Sequence, residues 1–194
     1  MTVFHHRQHL GKDFFMEHVL DVKKLVNELT LEEKASLCSG ADFWHTEAID
    51  RLNIPAAMVS DGPHGIRKQE SLADHMGVAE SIKAIGFPTA SAMACSFDRD
   101  LLHKVGDALG EECVAEDLAV LLGPGINMKR SPICGRNFEY YSEDPVVAGE
   151  LGAAFVNGVQ EHGVGTSLKH FAANNHLLSF QTNLMSVNVL VYLS

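Results

Sequence analysis

The sequence predicts a parallel α/β fold, and three observations predict it: short apolar runs bounded by turn residues, amphipathic stretches opened by capping residues, and the alternation of the two along the chain. Strands joined by right-handed crossover helices lie parallel to one another. This alternation builds either an open doubly wound sheet or part of a (β/α)8 barrel. A complete barrel takes about 250 residues, and four to five strand units are readable in these 194.

Residues 1–20 carry His5, His6, His9 and His18 among aromatics. Without ligand spacing or acidic partners they read as an N-terminal extension rather than a metal site. A single domain is expected over 21–194, since no Pro/Ser-rich linker divides the rest. Val22, Leu25, Val26 and Leu29 recur at helical spacing and predict a helix over 22–29. Thr30 and Glu33 form a capping box for a second short helix that Gly40 can close.

Four apolar runs then read as buried strands: Ala56–Val59, Thr89–Ala94, Leu118–Leu122 and Thr166–Leu168. Between the second and third, Asp98 can cap a helix with Leu101, Leu102, Val105, Ala108 and Leu109 on one face. Between the third and fourth, Asp144 and Pro145 occupy the N-cap and first-turn positions of a helix carrying Leu151, Phe155, Val156 and Val159 and ending at Gly163. A further strand is expected from Val187 to Leu193.

Composition narrows the function. Lys and Arg number 15 against 25 Asp and Glu, a formal charge of −10, which argues against nucleic acid as a partner. With 46% apolar and 21% charged residues the chain can build a core, so disorder and collagen-like architectures are excluded. No apolar stretch approaches the roughly 20 residues that span a bilayer, and no secretory signal is readable, so the expectation is a cytoplasmic protein without a membrane partner. Cys38, Cys95, Cys113 and Cys134 are scattered, without C-x-x-C spacing, and read as reduced thiols.

In parallel α/β proteins the ligand site lies at the C-terminal ends of the strands. Ser60-Asp61-Gly62-Pro63, Gly123-Pro124-Gly125 and Lys169-His170 all stand at such ends. Asp61 is read two ways: as a carboxylate accepting from two vicinal hydroxyls, or as an Asx-turn residue shaping Gly62-Pro63. Arg67 follows six residues later and on its own would serve a surface ion pair. The loop from Asn127 to Pro145 is dense in Arg, Glu and Tyr, the makings of a binding loop, though a solvated charge-paired loop fits the same composition. Lys169 and His170 are adjacent, so they point to opposite faces of an extended strand unless the backbone turns there. His170 could be a general base or a hydrogen-bonded rim histidine. No P-loop, GxGxxG, HExxH or Ser-His-Asp order is present, and no metal or organic cofactor is implied.

Six ordered segments carry a family resemblance: Leu31-Glu32-Glu33-Lys34, Val59 through Arg67, Gly86-Phe87-Pro88-Thr89, Gly123-Pro124-Gly125-Ile126-Asn127, Gly135-Arg136-Asn137-Phe138-Glu139-Tyr140-Tyr141-Ser142-Glu143-Asp144-Pro145, and Leu168-Lys169-His170-Phe171-Ala172-Ala173-Asn174-Asn175. In them the chain resembles the N-terminal domain of glycoside hydrolase family 3, the β-glucosidase family. The resemblance implies the first four to five units of a (β/α)8 barrel and an enzyme that hydrolyses terminal β-linked glucosyl residues with retention. It also implies that the positions of Asp61, Arg67, Arg136, Lys169 and His170 hold the nonreducing-end sugar.

Retention needs two carboxyl groups about 5 to 5.5 Å apart. In the family the nucleophile is the aspartate of a Ser-Asp-Trp motif downstream of the Lys-His-Phe strand, with the acid/base residue further on. This sequence contains no Ser-Asp-Trp, and after Asn175 it departs from the family's Gln-Glu-x-Asn-Arg, reading His176-Leu177-Leu178-Ser179-Phe180 before Gln181. The expectation is a truncated piece that carries the sugar-binding part without the catalytic pair and is inactive alone. Its partner would be the rest of the same enzyme or a second copy. A noncatalytic sugar-binding module and a functionless fragment are the alternatives.

Overall fold

The computed structural model describes residues 21–69, 81–171 and 174, together with the main chain of 187–191. The 1–20 extension with its histidines and the divergent segment 176–186 lie outside the described residues. Two compact units divide between Ala56 and Ala57.

In the first unit, helix α1 (Val22–Glu28) starts where the Asp21 carboxylate accepts from Lys24 N, and α2 (Leu31–Leu37) starts at the Thr30–Glu33 capping box. Both bonds of the box form: Glu33 N donates to Thr30 Oγ1 at 3.2 Å, and Thr30 N to Glu33 Oε2 at 2.8 Å. Arg51 Nε donates to the same carboxylate at 2.6 Å, and this bond is the largest influence holding the Glu33 carboxyl down at about 2. Gly40 sits beyond α2 at φ +80°, a left-handed position that glycine adopts without a Cβ penalty.

The second unit is a sheet with helices packed against it, in the order β1 (Val59–Asp61), α3 (Ala90–Ala94), α4 (Arg99–Ala115), β2 (Val120–Leu122), α5 (Pro145–Gln160), β3 (Gly165–Phe171), β4 (Val187–Val191). β1 pairs parallel with β2 (Val59 opposite Val120, Asp61 opposite Leu122), and β2 pairs parallel with β3 (Val120 opposite Gly165). The α/β class and the parallel pairing hold for these three strands. β4 instead runs antiparallel to β3, with Thr166 opposite Val191 and Phe171 opposite Val187. An antiparallel neighbour needs no crossover helix, so the fourth strand departs from the uninterrupted parallel series expected.

Two other expectations are corrected. Thr89–Ala94 is not a strand: Thr89 caps the five-residue helix α3, its side chain accepting from Ala92 N. An apolar run alone does not separate a strand from a buried helical turn, and the three alanines of Ala90–Ala94 favour the helix. The run Ala56–Val59 leads into β1 rather than forming it, which makes Asp61 the last residue of the strand. Helices α4 and α5 begin as expected, at Asp98 and at Asp144 with Pro145 in the first turn. Leu101 is exposed, however, while Leu102 and Leu109 are fully buried.

The core has two parts. Leu109, Cys113, Leu121, Phe155, Val159 and Val164 pack α4 and α5 onto the sheet. Met93, Leu102, Tyr141, Ala148 and Leu151 gather around α3. Helices α4 and α5 cross at glycines, because a Cβ on Gly106 would stand 2.2 Å from Phe155 O and one on Gly158 2.2 Å from His103 O. All four cysteines are free thiols, Cys113 and Cys134 buried. Among the described residues no helix is long and apolar enough to cross a membrane.

Candidate functional site

The site is built at the C-terminal ends of β1 and β3. Asp61 closes β1 and enters a tight turn in which Gly65 N bonds Gly62 O at 3.1 Å and Arg67 N returns to Asp61 O at 3.0 Å. Gly62 at φ +129° admits no other residue there, since a Cβ would meet Gly65 O at 2.2 Å. The turn brings Arg67 back to the strand end, where its Nη1 lies 3.2 Å from Asp61 Oδ2. Lys169, from β3, donates to Asp61 Oδ1 at 2.7 Å.

Lys169 is only 7% exposed while the Arg67 side chain is 70% exposed, so the two cations differ in weight. The buried pair is little screened, and the exposed one contributes little. Burial pushes the Asp61 carboxyl upward, but Lys169, Arg67 and the Gly62 N–H together outweigh it and hold the group below its ordinary value. Asp61 thus touches the turn through the Gly62 N–H and faces two cations.

His170 is the next residue, and the Lys169–His170 peptide bond is cis. Arg136 Nη2 meets His170 Nε2 at 2.6 Å, and Tyr140 Oη meets Nδ1 at 3.1 Å. A guanidinium only donates, so Nε2 is the bare acceptor and a neutral ring carries its proton on Nδ1, directed at Tyr140. Burial, then the charges of Arg136 and Lys169, depress His170 to about 3, so at neutral pH it is uncharged. Tyr140 is fully buried, and burial lifts its phenol to about 12.

Arg136 also bonds Glu139 Oε1, and its Nη1 reaches Asn174 Oδ1 at 3.4 Å. Asn174 Nδ2 in turn bonds Tyr140 Oη. The Arg136 loop is pinned from the helical side as well: Ser91 Oγ lies 2.8 Å from Asn137 O and 3.2 Å from Tyr140 O, and it accepts from Lys129 Nζ at 2.7 Å. His64, from the turn after β1, accepts from Ala90 N at 2.9 Å, and burial followed by the Lys169 charge keeps it below its usual value.

All five predicted residues therefore meet in one connected set. Asp61 joins Lys169 and Arg67, the chain joins Lys169 to His170, and His170 joins Arg136. Sequence reasoning missed the residues that hold this set together: Asn127, Glu139, Tyr140 and Asn174. They stand within the quoted motifs, but nothing in their spacing announces which atoms they bind. The set consists of hydrogen-bonding groups of both kinds, donors and acceptors. Among the described residues no group of His, Cys, Asp and Glu is placed to hold a metal ion.

Known proteins resemble the chain over most of its length. The glycosyl hydrolase family 3 N-terminal domain pattern matches residues 22–183. The thermostable beta-glucosidase B of Acetivibrio thermocellus is 58% identical over 156 residues, covering 80% of this chain and 21% of that protein. An exo-alpha-(1->6)-L-arabinopyranosidase of Bifidobacterium longum is 54% identical over 151 residues, 77% of this chain and 20% of the relative. Among solved structures, the beta-glucosidase of Bifidobacterium adolescentis superposes with a TM-score of 0.67 at 53% identity over 77% of this chain and 21% of its own. The Kluyveromyces marxianus beta-glucosidase in complex with glucose gives 0.71 at 44% identity over 80% of this chain and 18% of its own. The chain thus spans about a fifth of the length of the relatives it matches.

Proposed function

The chain belongs to glycosyl hydrolase family 3, and from that membership we propose that it binds the nonreducing-end sugar of a β-glucoside through Asp61, Arg67, Arg136, Lys169 and His170. The observation that carries this reading is the connected set of charged and neutral hydrogen-bonding groups at the C-terminal ends of two strands of a parallel sheet, where such folds bind their ligands. Asp61, kept ionised by Lys169, accepts from vicinal hydroxyls. The cations donate to the same ring, and His170 joins by exchanging an internal partner for a hydroxyl. A sugar can replace internal hydrogen bonds one for one, whereas a ligand lacking those hydroxyls would leave buried groups unpaired.

Binding, not cleavage, is the activity assigned to these 194 residues. Bond cleavage with retention needs one carboxyl group free to attack and another able to give up a proton. The two carboxylates in the set, Asp61 and Glu139, each face a cation, and Asp61 is held below the range of a proton donor at neutral pH. The names of the glucosidase relatives support glucose as the sugar. The Bifidobacterium longum relative favours a second reading, in which the ring is an arabinopyranose.

Calorimetric titration with glucose and with arabinose tests both. Saturable binding is expected for glucose and is lost in Arg136→Ala and Lys169→Ala; tighter binding of arabinose transfers the site to the second reading, and no saturable binding of either removes the proposal. No turnover of a chromogenic aryl β-glucoside is expected. Turnover that disappears in Asp61→Ala would overturn the assignment of binding alone.

A further inference from the structure

Past Leu168, strand β3 runs out of regular partners. β2 pairs with it only at Gly165 and Thr166, and its register against β4 shifts between Leu168 and Phe171. The segment that leaves β2 takes over. Lys169 N donates to Pro124 O at 3.1 Å, and Lys169 O accepts from Ile126 N at 2.8 Å. At His170 a side chain supplies the partner on this edge. His170 N donates to Asn127 Oδ1 at 2.7 Å, and Asn127 Nδ2 donates to His170 O at 3.1 Å.

A primary amide carries a donor and an acceptor on one planar group, as a peptide unit does. The Asn127 side chain therefore extends the β2 side of the ladder by one residue. We infer that Asn127 is a positioning residue, and that its two bonds to the main chain of His170 set the imidazole between Arg136 and Tyr140. Aspartate at this position keeps the acceptor but turns a second oxygen toward the His170 carbonyl. Alanine supplies neither bond. Either change frees the stretch of main chain that carries the ring, and a ring displaced by about 1 Å no longer meets both Nη2 of Arg136 and Oη of Tyr140 within hydrogen-bond range. Asn127 acts through His170 and need not touch a ligand. Its effect on sugar affinity rests on the proposed function above, whereas its effect on the ring does not.

The test reads the ring directly. In 15N-labelled chain, with His170 assigned by its loss in His170→Gln, the ring should show a proton fixed on Nδ1, a bare Nε2 and no titration between about pH 5 and 8. In Asn127→Ala and Asn127→Asp, each first shown to melt cooperatively, the two nitrogens should average and a titration should return within that range. A folded variant that keeps the Nδ1–H signature and does not titrate overturns the inference. Amide exchange in the unaltered chain provides a check that no folding defect can obscure. The His170 N–H should be protected like its β3 neighbours, and exchange at the rate of a free peptide overturns the inference outright. Because no sugar enters these measurements, failure of glucose binding beside an intact ring signature removes the proposed function and leaves the role of Asn127 standing.

Discussion

Lys169 is an ammonium group almost closed off from water, and a charge in that position is stable only with a partner at hand. Asp61 is that partner, at 2.7 Å. Asp61→Asn should therefore destabilise the unit by about 3 to 5 kcal/mol, because it leaves the lysine buried and unpaired. Lys169→Met in the same chain should return much of that loss, and urea unfolding of the two single variants and the double gives the coupling. A loss in the double variant equal to the sum of the two single losses would show that the two groups do not depend on each other. At this scale the sequence was informative about candidates and silent about pairings. Asp61, Lys169 and His170 were legible because each stands at the end of an apolar run. That His170 would give Nε2 to Arg136 and Nδ1 to Tyr140 was not, since those partners lie 34 and 30 residues away along the chain.

Among the helices, local chemistry was legible where a side chain bonds its own backbone. Thr30, Asp98 and Asp144 each cap the helix expected of them, because a cap needs only residues two or three positions on. It was misleading at Thr89–Ala94, where a short apolar run without clear period was read as a strand. The crossing of α4 and α5 was invisible, since a glycine inside a helix announces neither close contact nor open space. The structure distinguishes the two cases within α5. A Cβ at Gly149 would meet nothing within 4 Å, whereas one at Gly158 would press on His103 O and Asp107 N. Gly149→Ala should stabilise by about 0.5 to 1 kcal/mol through the unfolded chain. Gly158→Ala should destabilise by about 1 to 3 kcal/mol. Thermal melts of the two variants measure both, and a Gly158→Ala chain no less stable than the unaltered one would refute the close crossing.

Across the unit 57–194, buried His170, half-buried His64 and Asp61 together make stability fall toward acid. His170 ordinarily titrates near 6.5 and is held at about 3 in the fold. Below pH 6.5 the unfolded chain therefore takes up a proton that the folded one refuses, and stability drops until about pH 3. At pH 5 the loss from this ring is about 2 kcal/mol. His64, also lowered, adds in the same direction. Asp61 is depressed as an acid, so its contribution is present above its ordinary carboxylate value and is lost as the pH falls below it. Urea midpoints at pH 7 and pH 5 should differ accordingly, and His170→Gln should flatten most of that interval while keeping the decline below about pH 4. An unchanged slope in the variant would place the acid sensitivity elsewhere.

By itself the sequence determined the α/β class, the caps, the strand ends where charged and polar residues gather and, through six ordered motifs, the family. Each of these is written in residues near one another in the chain or in the identity of the residues themselves. Only the tertiary structure decided that β1, β2 and β3 run parallel with β4 antiparallel to β3, that α4 and α5 meet at bare backbone, and that Asn127, Arg136 and Tyr140 all bond to His170. Hydrogen bonds and close packing are formed between groups brought together across tens of residues, and the distance and direction on which their strength depends exist only once the chain has folded.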